Sequence, residues 1–138
     1  MRKKNFEIEL VKYANEINNS PFEWGVTDCA TIVRKSIEIM LGEDIFDLPL
    51  WDSLKTARSI VRDLNILKLM GDVGGLPITL SYAHTGDIGL YPNLDDNGLP
   101  QFCVVLPRRK ILISTIHKGV EITELYSLLE NTTFWRYA

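Results

Sequence analysis

Cys29 closes the stretch Phe22-Glu23-Trp24-Gly25-Val26-Thr27-Asp28-Cys29, just before an apolar-periodic run. A thiol in the first turn of a helix meets unpaired backbone N–H groups and the positive end of the helix dipole, and both favour the thiolate. That thiolate could attack a carbonyl carbon. Asp28 beside it opposes the effect through like charge. The same position equally suits a small buried hydrophobe, because Cys29 begins the apolar stripe Ile32, Val33, Ile37 and Met40. Nucleophilic catalysis needs more than the thiol. A base must take its proton and later protonate the leaving group, and a third polar group must orient that base. The chain offers two histidines: His117, expected in a turn, and His84, expected at the entry to a strand. Each reads first as an ordinary exposed histidine.

The elements that would position these residues follow from periodicity. Phe6, Leu10, Val11, Tyr13, Ala14 and Ile17 recur at helical spacing and predict a helix over 4–17, ended by Pro21. A second helix opens near Thr27, a plausible N-cap, and stops at Gly42. Asp52 or Ser53 can cap a third, carrying Leu54, Ala57, Ile60, Val61 and Leu64. Residues 66–86, broken by Gly71, Gly74, Gly75 and Pro77, read as short helical turns and loop. The texture then turns to β. Strands are expected at Asp87 to Tyr91, Gln101 to Leu106, Lys110 to Ile116 and Val120 to Ile122, with turns at 95–98 and 107–109. Thr123 can cap a short helix through Leu129, and Thr132 to Tyr137 reads as extended. Side-chain alternation puts Gln101 and Cys103 on the same side of their strand. If Gln101 faces Cys29, Cys103 is then near it too, more simply as packing than as a disulfide. Helices first and strands second define an α+β domain with a small antiparallel sheet.

Trp24-Gly25 followed by Asp28-Cys29 resembles the nucleophile segment of the NlpC-like, papain-like cell-wall peptidases. Gly86-Asp87-Ile88 is similar to the start of that family's first core strand. The chain is closer still to phage and prophage proteins with a Phe-x-Trp-Gly-x-x-Asp-Cys signature, which also end on Trp-Arg, as Trp135-Arg136 does here. The resemblance runs from Pro21 to Arg136. It implies a papain-like fold, Cys29 as nucleophile candidate, and a site lined by Asp28 and Trp24. It also places the family's base at Gln101 and its orienting residue at Ile113, with Gly119-Val120 as the closing pair. Gln101 has no group that titrates near neutral pH and Ile113 cannot hold a base, so the triad is broken in this register. The resemblance therefore implies a degenerate phage or prophage tail component whose partners are other tail proteins. The alternatives are an active cysteine endopeptidase acting on peptidoglycan, or an acyltransferase or amidase on the same scaffold. Trp51 and the run Phe134-Trp135-Arg136-Tyr137 are candidate partner contacts, with core packing as their simpler role.

The bulk properties set limits. At 138 residues the chain fits one domain, 1–138, able to bury roughly 68% of its unfolded surface. A net charge of −3 gives no field for nucleic acid or anionic lipid. The run Arg108-Arg109-Lys110 reads as a solvated hairpin turn rather than a phosphate site. Cys29 and Cys103 show no metal-ligand spacing, and no cofactor is implied. Met1-Arg2-Lys3-Lys4 could open a signal peptide, but Glu7, Glu9 and Lys12 interrupt any apolar segment behind it. No stretch approaches the length of a membrane span. The expectation is a chain made in the host cytoplasm with reduced thiols, destined for the virion tail.

Overall fold

A computed structural model describes residues 2–46, 52–63, 65–91, 99–127 and 132–138. Four helices and one six-stranded antiparallel sheet are present among them, a mixed α+β architecture. The helices are α1 (Phe6–Ile17), α2 (Cys29–Leu41), α3 (Leu54–Asp63) and α4 (Ile66–Asp72). The strands are β1 (Leu76–Ile78), β2 (Ile88–Tyr91), β3 (Gln101–Leu106), β4 (Lys110–Thr115), β5 (Gly119–Glu124) and β6 (Thr133–Arg136), in the order β1-β6-β2-β3-β4-β5.

The helix α2 is central. Its Ile32, Val33, Ile37 and Met40 are buried in one cluster with Ile88, Phe102, Val104 and Leu112 from one face of the sheet. Burying each such side chain contributes roughly 1.5–3 kcal/mol. Gly42 ends the helix in the left-handed conformation, with φ +85° and its N–H donating to the Glu38 carbonyl. The N-cap is Asp28, not Thr27. The Asp28 carboxylate accepts from the Thr31 N–H, whereas the Thr27 hydroxyl accepts from the Glu23 N–H and donates to the Pro21 carbonyl, bracing the preceding turn. Ser53 caps α3, accepting from the Thr56 N–H at 3.1 Å.

Several expectations are corrected here. Within 66–86 the helical turns appear as α4 and a 3-10 turn at Leu80–Tyr82, but Leu76–Ile78 is a strand, paired with β6. Thr123 is not a helix cap: β5 runs on to Glu124, with Thr123 paired to Ile111, and a 3-10 turn at Leu125–Ser127 follows; the rest of the expected helix, to Leu129, lies outside the described residues. The Thr132 to Tyr137 segment is extended as expected, yet it supplies an interior strand between β1 and β2. Phe134, Trp135 and Tyr137 are accordingly buried and cannot act as surface contacts. Trp51, Leu64 and the turn at 95–98 lie outside the described residues.

The opposite face of the sheet has its own smaller cluster: Ala83, Cys103, Val105, Ile111, Leu125 and Phe134, with Ile113 packed against it. Both outer strands are partly obstructed. The segment joining α1 to α2 bonds to the edge of β5, through the Asn19 N–H to the Val120 carbonyl (3.0 Å) and the Val120 N–H to the Ser20 carbonyl (2.9 Å). On the other side β1 is three residues long, with Pro77 at its centre.

Candidate functional site

The turn before α2 is held by its own polar groups. The Gly25 N–H (2.7 Å), the Thr31 N–H (2.9 Å) and the Thr31 hydroxyl (2.7 Å) all donate to the carboxylate of Asp28, which is wholly buried. That carboxylate is therefore a structural cap that closes the Trp24-Gly25 turn onto the helix. Its negative charge, after burial, helps push the Tyr13 phenol up to about 12. Phe22 and Trp24 pack edge to face, with centroids 4.8 Å apart and rings at 89°.

A narrow groove lies beside this turn, lined by Phe22, Trp24, Asp28, Cys29, Leu99, Gln101, Ser114 and Ile116, with room for little more than one water molecule. Cys29 forms part of its wall and is 6% exposed. The structure thus brings together the four residues expected at a site, Trp24, Asp28, Cys29 and Gln101, and adds Ser114. The Ser114 hydroxyl donates to the Thr27 carbonyl at 2.5 Å, tying β4 to the start of α2. Ser114 was not expected, although alternation from Leu112 places it on the helix-facing side of β4. Ile113, assigned to the orienting position, belongs to the other face.

Cys103, two residues from Gln101, lies near enough to Cys29 for that thiol's charge to help raise its pKa, after burial. Gln101 lines the groove, while Cys103 packs in the opposite cluster against Phe134. Gln101 is the first residue of β3, and the registered β3–β4 pairs run from Leu106↔Lys110 only to Val104↔Leu112. Beyond that point β4 continues beside β5. On its other side Gln101 is paired with Tyr91 at the end of the β2–β3 ladder. Burial pushes the Cys103 thiol up to about 12, and neither cysteine is in a disulfide.

Both histidines of the chain are exposed, and neither lines the groove. His117 follows the lining residue Ile116 in the β4–β5 turn. His84 is at the far end of α2. The position of a Cβ on Gly86 falls 2.5 Å from the Met40 sulfur, and Met40 is eleven residues, roughly 16 Å, along the helix from Cys29. Gly86-Asp87 and Trp135-Arg136 meet at that end. Asp87 is fully buried and accepts from Arg136 Nε at 2.9 Å and Arg136 Nη2 at 2.8 Å, with Arg2 Nη2 3.5 Å away. Hydrogen bonding to Asp87 raises the Arg136 pKa. Arg2 also donates to the Tyr137 and Thr85 carbonyls. Sequence inspection picked out both dipeptides but had no means of pairing them.

Fold and site together define an α+β domain with a cysteine in the wall of a groove at a helix start. The family model described as Domain of unknown function (DUF6950) matches residues 1–137, and the chain belongs to that family. Comparison with curated proteins returned no match. Among the described residues, no group of three or more His, Cys, Asp or Glu side chains is arranged to hold a metal ion, and no helix is long and apolar enough to cross a membrane.

Proposed function

We propose that this chain is a phage or prophage tail component built on an NlpC-type, papain-like domain that has lost its catalytic apparatus. The observation that carries the reading is the company Cys29 keeps. The groove holds Gln101 where the resemblance calls for a histidine, and both histidines lie outside it. Asp28 is committed to capping α2 and Ser114 to the Thr27 carbonyl, so neither serves as a base for the thiol. The sequence likeness to phage proteins supplies the particle context, and the fold alone would host many activities. The partners are then neighbouring tail proteins.

The test is a Cys29→Ala virion. Assembly and infectivity equal to wild type are expected. Normal assembly with lost infectivity sinks the proposal and points to chemistry at the thiol. A second reading, a peptidoglycan cysteine endopeptidase, is favoured by one observation: Cys29 stands in the first turn of α2 and in the groove wall. It requires wild-type protein to release free amines from muropeptides and the Cys29→Ser variant to release none. No release by wild type at any pH from mildly acid to mildly alkaline dismisses it.

A further inference from the structure

The hairpin joining β3 to β4 carries the basic run, and its geometry differs from that of an ordinary solvated turn. Leu106 and Lys110 form the last β pair, leaving Pro107, Arg108 and Arg109 as the tip. Arg108 and Arg109 both take positive φ, +63° and +56°. That conformation brings Cβ against the backbone and is ordinarily given to glycine or asparagine. Pro107 restricts the tip further by fixing its own φ. Both arginines are exposed, and neither guanidinium makes a hydrogen bond or ion pair with a described residue. The third cation is different: Lys110 is paired with Glu124 across β4 and β5.

We propose that Arg108 and Arg109 form a docking tip for a carboxylate-rich segment of a partner protein. Two adjacent exposed guanidiniums offer N–H forks, the donor geometry that matches carboxylates. Carboxylates fit better than nucleic acid. Binding along a nucleic-acid backbone recruits several separated cations, whereas here Lys110 is already neutralised and only two adjacent cations remain. The tip is at the opposite end of β3 from Gln101, so the inference holds whatever the groove does.

A fluorescently labelled octaglutamate peptide, read by anisotropy against the intact chain, tests this. Octaglutamine and a thymidine octanucleotide serve as neutral and phosphate probes. Wild-type protein should bind octaglutamate in a salt-sensitive manner and octaglutamine not at all. The double variant Arg108→Asn, Arg109→Gly removes both charges and relaxes both backbone positions, so it should fold at least as stably as wild type and bind octaglutamate at least about five-fold more weakly. Unchanged octaglutamate affinity in that variant overturns the proposal. So does tighter binding of the oligonucleotide than of octaglutamate, which reassigns the tip to phosphate.

Discussion

At the scale of single residues, the two cysteines of this chain are chemically unlike. Cys29, although buried, lines the narrow groove, while Cys103 is sealed between Gly89 and Phe134 with its thiol pushed up to about 12 by burial. Iodoacetamide at mildly alkaline pH should therefore label Cys29 of the native protein slowly and ahead of Cys103, and both thiols rapidly after unfolding, as peptide mass spectrometry can show. Labelling of the two thiols in step on the native chain contradicts the packing around Cys103. Asp28 is the other residue with a sharp expectation. Asp28→Ala removes the N-cap of α2 and leaves the Gly25 N–H unpaired, at a cost of about 2–4 kcal/mol in urea unfolding. A loss below about 0.5 kcal/mol denies the carboxylate its structural role.

Elements show what could be read locally and what could not. The helix α2 was legible because its apolar stripe, its Gly42 stop and its polar N-terminal residues are all local signals, although the cap is Asp28 rather than the expected Thr27. The strand β6 was legible as extended but not as interior, since its neighbours β1 and β2 are more than forty residues away in the chain. The groove was half legible. The family resemblance brought Trp24, Asp28, Cys29 and Gln101 together, whereas Ser114 enters through the packing of β4 on the start of α2. Packing of the sheet's far side depends on a missing side chain. A Cβ at Gly89 would sit 2.6 Å from the Cys103 sulfur and 2.7 Å from the Phe134 ring. Gly89→Ala should destabilise by about 1–3 kcal/mol, and adding Cys103→Ala should recover part of that loss. Exact additivity of the two changes in a double-mutant cycle rules out their contact.

Across the whole molecule, the first and last residues of the fold converge on one buried carboxylate, Asp87, held by Arg136 and approached by Arg2. Arg136→Ala should cost about 3–5 kcal/mol, because it strips the bidentate partner from a buried charge. A loss within the range of ordinary surface substitutions shows that Arg2 alone suffices. The pH response is also global. Cys103 and Tyr13 are held up at about 12 from ordinary values of 9.0 and 10.0, and Tyr137 is raised as well, all by burial. The folded chain keeps protons that the unfolded chain has begun to lose, so their stabilising contribution is complete below about pH 9 and falls as pH rises towards 12. Urea midpoints should decline through that window, and Tyr13→Phe should flatten the part above pH 10. A midpoint that is constant up to pH 11 excludes this account.

The hydrogen bonds from Asn19 and Ser20 to the rim of β5, and the proline at the centre of β1, have a consequence for crowding. An open strand edge is a template on which a neighbouring chain can add another strand. Here one border is partly taken by the chain's own linker, and the other lacks an N–H at its midpoint. Copies held at high local density therefore find little backbone on which to zip together, and ordered side-by-side stacking must be encoded by side chains instead.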